Sequence, residues 1–239
     1  MSKALVIIPT YNEKENIGEI VPFVFNLNAG FDVLVVDDNS PDGTAQIVQN
    51  LQNDYPDKLF LLQRTAKEGL GKAYIAGFNW ALKHHYDYIF EMDADFSHPP
   101  EDLIKLLKVL QNDEADISVG SRYLKGRINV VNWDLKRILL SYFASMYVRL
   151  ITGIPVNDTT AGFVGYKKKV LQNFDFNKIE FVGYAFQIEM KYKAWKKGFR
   201  IKEVPIIFTD RIKGKSKMNG SIITEAVWGV LKMRFKKIA

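Results

Sequence analysis

Cysteine is absent from all 239 residues. That removes disulfides, thiolate catalysis and Cys-based zinc or iron–sulfur centres together. A reducing compartment fits the absence, so a cytoplasmic location is expected. No run of about 18 apolar residues occurs, and nothing reads as a membrane span. Met1-Ser-Lys-Ala leads straight into a strand pattern, so no secretory leader is expected. The first strand pattern is not followed by Gly-x-Gly-x-x-Gly, which argues against a dinucleotide-binding fold. Low-complexity linkers and internal repeats beyond a βα alternation are also lacking.

What is present suits one generous globular domain with a full core: 47% of residues are hydrophobic and 25% charged. The net charge of +6 is unevenly spread. Residues 191–239 carry 14 Lys+Arg against 3 Asp+Glu, whereas residues 1–190 carry 19 against 24. Such a split suggests an anionic partner for the C-terminal part, with a solvated basic face as the plain alternative.

Short β-rich runs at 4–8, 32–36, 59–62, 88–92 and 116–120 alternate with helix patterns at 13–26, 43–52, 71–83 and 100–111. Four successive βα units predict an α/β domain with a mainly parallel, doubly wound sheet. Its strand ends then share one edge, the usual ligand edge of open α/β folds. After Arg122 the alternation breaks. Residues 125–133 read as a loop and 134–152 as a helix with a broad apolar face. That pattern alone favours a buried helix; a helix lying in a membrane interface is the other reading. Further strands are expected at 161–166 and 200–208, with a helix near 185–197 between them. Residues 222–237 form a basic amphipathic helix pattern.

The most informative stretch is Tyr88-Ile-Phe-Glu-Met-Asp-Ala-Asp-Phe-Ser-His-Pro-Pro100. An apolar run ends in two carboxylates, Asp93 and Asp95. Alternation along an extended strand end would send both to one side, where they suit a hard divalent cation and, through it, a diphosphate. Surface turn acids are the plain alternative. His98 reads as a turn former before Pro99 and Pro100 rather than as a ligand. Val33-Leu-Val-Val-Asp-Asp38 ends the same way, and an acid after a second strand suits a nucleoside. In Pro9-Thr-Tyr-Asn-Glu13, Thr10 and Glu13 fit a capping box, although a Tyr and Glu there also suit a ribose and base. The glycines of Gly69-Leu-Gly-Lys72 are better explained by helix capping than by a phosphate loop, with Lys72 near the helix start. Arg211-Ile-Lys-Gly-Lys-Ser-Lys217 is a basic segment able to close on a diphosphate. The lack of interleaved aromatics weakens a nucleic-acid reading.

Taken together the motifs resemble family 2 glycosyltransferases of the GT-A fold, and more narrowly the polyprenyl-phosphate mannosyltransferases of the dolichol-phosphate mannose synthase type. The likeness runs through the segments above and through His98-Pro-Pro-Glu101, Gly120-Ser-Arg-Tyr123 and Asn132-Trp133. It implies a GT-A domain over residues 1–218 and a basic amphipathic helix over 219–239. It implies inverting, metal-dependent mannose transfer from GDP-mannose to a polyprenyl monophosphate, with Mg²⁺ or Mn²⁺ as cofactor. Pro9, Tyr11, Glu13, Val36 and Asp38 would line the guanosine site, with Ala94 contacting the nucleotide through its backbone. Asp93 and Asp95 would bind the metal, beside Ser97, which stands where the archaeal-type pattern has Gln. Asp95, Arg122, Arg211 and Lys217 would act in catalysis, and Arg122, Arg137 and Ser216 would meet the acceptor phosphate. Expected partners are the cytoplasmic membrane surface, reached through peripheral helices, and a membrane subunit; no nucleic acid is expected as substrate. A glucosyltransferase of the same design, and a peripheral membrane or nucleic-acid binding module, are the competing readings.

Overall fold

The computed structural model describes residues 3–124, 126–210 and 220–235. The first half forms β1 (Ala4–Thr10), α1 (Lys14–Asn26), β2 (Phe31–Asp37), α2 (Thr44–Leu51), β3 (Leu59–Gln63), α3 (Leu70–Lys83), β4 (Tyr88–Glu91) and α4 (Leu103–Gln111). These follow the expected alternation closely. The second half comprises β5 (Ile117–Ser121), β6 (Tyr123–Leu124), β7 (Arg127–Ile128), β8 (Val130–Val131) and α5 (Leu135–Thr152). It continues with β9 (Val164–Lys167), α6 (Lys168–Gln172), α7 (Tyr184–Lys196), β10 (Ile201–Pro205), β11 (Phe208–Thr209) and α8 (Gly220–Phe235).

Near-continuous apolar runs make strands buried on both faces, as parallel sheets require. Along β1 alternate side chains enter two cores. Ala4, Val6 and Ile8 meet α1 and α4, while Leu5 and Ile7 meet α3 and α7. Gly77 lets α3 come close to β1, since a Cβ there would lie 2.7 Å from Ile7. A third cluster joins α5, α7 and α8 through Val148, Ile188, Val230 and Met233.

Seven strands form the main sheet in the order β10-β5-β9-β4-β1-β2-β3. The expectation of a mainly parallel sheet needs one qualification: β9 runs antiparallel to both β4 and β5. An apolar run carries no direction, and α5 before β9 leans away as part of the third cluster instead of crossing the sheet. The reversal delivers the residues preceding β9, from Asp158 to Phe163, to the edge where the parallel strands end. At the outer edge β10 carries Lys202 and Pro205, residues that blunt an open strand against further pairing.

Three further expectations change. The stretch read as a loop at 125–133 contains β7 and β8, pairing with β6 and β11. The strand expected at 200–208 divides into β10 and β11. The broad apolar face of α5 points outward rather than into the core. Leu135, Leu139, Tyr142, Phe143, Met146 and Leu150 are exposed, while Ser145, Val148 and Thr152 are buried. Asp134 caps α5 by accepting from Arg137 N at 2.8 Å. Gly153, at φ 74°, ends it in a left-handed turn.

Candidate active site

The tips of β1, β2 and β3 are tied to one another by short polar side chains. Asp37 accepts from the Thr10 hydroxyl at 2.8 Å and from the Ser40 hydroxyl at 2.6 Å. Thr10 is therefore spent on the strand tips, and the expected capping box with Glu13 does not form. The first turn of α1 is closed from the neighbouring loop instead: Asp42 accepts from Lys14 N, and Thr44 Oγ1 accepts from Glu13 N. Asn12 and Asn39 hold φ of 56° and 59°, the left-handed turns that Asn tolerates best. Tyr11 lies under the Lys67 ammonium at 4.3 Å. Asp38 is buried and paired with Arg64 at 2.7 Å. Burial pushes its carboxyl above the ordinary value, and Arg64 partly offsets that. Val36 is fully buried in the apolar core, so its side chain is not open at the strand tips. Gly69 caps the start of α3, as expected, whereas Gly71 serves packing. A Cβ at Gly71 would lie 2.8 Å from Phe186, and Gly69 has φ 103°.

At the β4 tip the strand ends at Glu91, so Asp93 and Asp95 are presented by a turn and not by an extended strand end as expected. Ser97 N donates to Asp95 Oδ1 at 3.1 Å, and Phe96 at φ 60° completes the turn. The buried His98 ring accepts from Asp93 N through Nδ1 at 3.1 Å and stacks on Phe163 at 5.0 Å. Burial holds its pKa down in spite of Asp93 and Asp95. A neutral ring with Nδ1 as acceptor is a turn former, which agrees with the sequence expectation. Ala94 and Ser97 are buried in the same turn.

The reversed strand brings in groups that the sequence reading missed. Asp158 is fully buried and holds Arg122 through Nε at 2.7 Å, Nη2 at 2.6 Å and the backbone N at 2.9 Å. Burial alone would raise the Asp158 carboxyl; Arg122 overcomes that and keeps it below its ordinary value. Glu203 of β10 in turn accepts from Asn157 and Asp158 amides and from the Ser121 hydroxyl. Arg122 lies within 5.5 Å of the Tyr123, Trp133 and Phe208 rings. Arg137 stacks on Trp133 at 4.2 Å and pairs with Asp210 at 2.6 Å. The two arginines thus stand around one indole, beside the exposed apolar face of α5. Arg211, Ser216 and Lys217 lie outside the described residues.

Behind this edge is a buried polar chain. Lys191 Nζ donates to Ala161 O at 2.6 Å, and Gln187 Nε2 donates to Glu91 Oε2 at 2.6 Å. Burial raises the Glu91 carboxyl to about 8 and lowers the Lys191 ammonium to about 8. The sequence signal for this chain was two polar residues four apart, Gln187 and Lys191, on one side of a helix pattern.

A mostly parallel sheet with acidic turns at its carboxyl edge defines the GT-A class of nucleotide-diphospho-sugar transferases. The chain belongs to glycosyl transferase family 2, whose sequence model matches residues 5–174. It is 45% identical over 233 residues to the polyprenol monophosphomannose synthase of Mycolicibacterium smegmatis, covering 95% of this chain and 87% of that protein. It is 43% identical over 233 residues to the undecaprenyl-phosphate mannosyltransferase of Micrococcus luteus, covering 95% and 94%. Among solved structures, the mannosyltransferase PcManGT of Pyrobaculum calidifontis, in complex with GDP-Man and Mn²⁺, superposes with a TM-score of 0.60. That match covers 97% of this chain and 69% of PcManGT at 18% identity.

Proposed function

We propose that this glycosyltransferase transfers mannose from GDP-mannose to a polyprenyl monophosphate, with inversion at the anomeric carbon. The observation that carries the reading is one juxtaposition. The Asp93–Asp95 turn lies along the same sheet edge as an arginine pair, Arg122 and Arg137, and that pair borders an uncovered apolar helix, α5. The names of the two relatives support the sugar and the acceptor class, and PcManGT supports the donor class.

Two carboxylates in one turn match the habit of Mg²⁺ and Mn²⁺, which take one or two protein oxygens and complete their shell with substrate phosphates and water. Among the described residues there is no cluster of three or more such acids and histidines. A metal shared with a diphosphate therefore fits better than a closed protein cage. Asp93 and Asp95, with Ser97 beside them, would hold it. When bound, it would supply positive charge against the diphosphate.

The chain's own residues account for the rest. Tyr11, Glu13 and Asp38 at the β1 and β2 tips, with the Pro9 and Val36 backbones, receive the nucleoside. Arg122 and Arg137 offer guanidinium faces and edges to an acceptor phosphate, and Arg211, Ser216 and Lys217 are proposed to join them. The new bond forms between a phosphate oxygen and the anomeric carbon as the bond to GDP breaks on the opposite face. A monophosphate is already anionic near neutral pH, so the attacking oxygen has no proton to lose. His98, buried against Phe163, is a turn element and not a base.

No helix among the described residues is long and apolar enough to cross a membrane. We infer that the lipid is met at a membrane surface by α5 and α8. Trp228 and Phe235 of α8 add exposed aromatics to the α5 stripe, and Lys232 and Arg234 add charge for an anionic surface. The test is transfer from labelled GDP-mannose, GDP-glucose, UDP-glucose and UDP-N-acetylglucosamine to polyprenyl phosphate, with Mg²⁺ or Mn²⁺ and with EDTA. Labelled lipid from GDP-mannose and metal alone is expected. Transfer from a different donor would move the sugar assignment, and no nucleotide binding at all would sink the reading.

A further inference from the structure

We propose that Gln187 and Lys191 of α7 are positioning residues for the transfer reaction, tying the strand that carries the Asp93–Asp95 turn to the loop that aims Arg122. This rests on the proposed reading, in which the donor diphosphate meets the acid turn and the acceptor phosphate meets Arg122.

The two groups stand on strands that do not touch. Asp93 and Asp95 follow β4, Arg122 follows β5, and β9 lies between those strands, running the other way. The stretch from Asp158 to Gly162, just before β9, therefore separates the donor side from the acceptor side. Among the described residues it has no strand pairing. Side chains hold it instead, and they decide where Arg122 sits relative to the acid turn.

Gln187 and Lys191 are one helical turn apart and face the same way. Gln187 Nε2 donates to Oε2 of Glu91, the last residue of β4, at 2.6 Å. Lys191 Nζ donates to Ala161 O at 2.6 Å and to Gln187 Oε1 at 3.5 Å, which joins the two contacts into one strut. Glu91, Gln187 and Lys191 are all buried. Gly162 packs between His98 of the acid turn and Gln187, since a Cβ there would lie 3.6 Å from His98 Cε1 and 3.9 Å from Gln187 Nε2. Ala161 N donates back to Asp158 O, and Asp158 receives the Arg122 side chain and amide. A shift of Ala161 is thus passed through Asp158 to Arg122.

An apolar side chain could fill the place of Lys191. Replacing buried charges by apolar groups of similar volume is often neutral or stabilising, so packing alone does not call for an ammonium here. Burial even lowers its pKa to about 8. Groups that break the rules of a core in this way are expected at functional sites. The ammonium does two things that an apolar group could not. It fixes a carbonyl of the loop, and its charge helps to keep the buried Asp158 ionised for Arg122. Reacting groups held out of place by about 1 Å can lose about a hundredfold in rate, so a strut joining donor and acceptor sides bears on turnover more than on binding.

The experiment combines steady-state mannose transfer to polyprenyl phosphate with calorimetric GDP binding, both with Mg²⁺. It compares the unmodified chain, Lys191→Met, Gln187→Leu, the double variant and Lys193→Met. Lys193 is the control: it lies on the same helix and its Nζ also donates to a backbone carbonyl, Lys178 O at 2.7 Å, but that carbonyl is not in the site. Lys191→Met and Gln187→Leu should each lower kcat about ten- to a hundredfold, while GDP affinity changes less than about threefold and so certifies the fold. The double variant should fall no more than about threefold below the poorer single one, because the two residues act as a unit. Lys193→Met should keep kcat within about twofold, as surface changes away from a site do. Several outcomes would overturn the proposal and leave the enzyme reading standing: kcat unchanged in both single variants, GDP binding lost in step with kcat, multiplying losses in the double variant, or an equal loss in Lys193→Met. No mannose transfer by the unmodified chain would instead overturn the functional reading itself.

Discussion

Around β1, β2 and β3 the chain buries apolar side chains and keeps its polar ones at the strand tips. Around β9, α5 and α7 it buries polar and charged side chains among the apolar ones and leaves other apolar ones outside. There Glu91, Gln187, Lys191, Asp158 and Arg122 are buried, while Leu135, Phe143 and Leu150 of α5 face outward. The first arrangement is the low-energy solution for a soluble fold. The second carries a desolvation cost for its charges and leaves an apolar stripe uncovered. A soluble nucleotide demands nothing unusual of the surface that binds it. An acceptor that is charged at one end and apolar along its tail does, and the second half has features matching both ends.

The largest effect should separate the two halves by function. Asp95→Asn keeps the shape of its turn but halves the charge available to a metal at the β4 tip. Transfer is expected to fall at least about a thousandfold, as when a key electrostatic stabiliser is removed. Thermal stability and GDP affinity without metal should stay near those of the unmodified chain. Near-normal turnover would detach the acidic turn from the chemistry. EDTA should mimic the substitution reversibly.

The second prediction asks whether the buried ions of the second half hold its structure. Asp158→Asn leaves the Arg122 guanidinium buried without its countercharge, and breaking such a pair costs about 3–5 kcal/mol. Urea unfolding should show that loss. A cost below about 1 kcal/mol, the range of an exposed pair, would mean that Arg122 swings to solvent easily. The folded value of the Asp158 carboxyl is depressed, so its contribution is present above the ordinary carboxylate range and fades as pH falls through it. The difference between the unmodified chain and the Asn variant should therefore shrink in acid.

The same contrast decides what was legible in the sequence. Apolar runs ending in Asp37–Asp38 and Asp93–Asp95 announced the strands and the site edge, because buried parallel strands leave a strong periodic mark and their polar tips stand out. The direction of β9 left no such mark, so Asp158 and the residues gathered around it went unseen. Nor did the pattern of α5 tell a helix buried in protein from one awaiting an apolar partner, since both are apolar on a broad face. Arg64, at the end of a strand run, was legible as an edge residue, but its pairing with Asp38 follows only from the strand order.

The third prediction tests the uncovered stripe. Leu139→Glu with Phe143→Glu changes two exposed side chains and should leave the melting temperature within about 2 °C, because neither packs in the core. Losing two apolar anchors of roughly 1.5 kcal/mol each should weaken binding to anionic vesicles about a hundredfold. Soluble GDP binding should not change. If vesicle binding survives, the stripe faces something other than lipid.

The smallest effect concerns Lys191, which lies deepest in the polar half. Its ordinary value is 10.5 and burial lowers it to about 8 in the folded chain. The unfolded chain then holds that proton more tightly than the folded one between those two values. Below pH 8 the buried ammonium opposes folding in full, and the penalty fades as pH rises toward 10.5. Lys191→Met removes the titration while keeping the volume. Measured against that variant by urea unfolding, the unmodified chain should gain about 1–2 kcal/mol between pH 8 and pH 10. The sign is opposite to that of a surface lysine paired with an acid, which would lose stability over the same interval. A flat difference would mean that the contacts with Ala161 O and Gln187, together with the nearby Glu91 charge, compensate the burial fully. The polar chain behind this edge would then be an energetically quiet scaffold, and the contrast between the halves would rest on α5 and the Asp158–Arg122 pair.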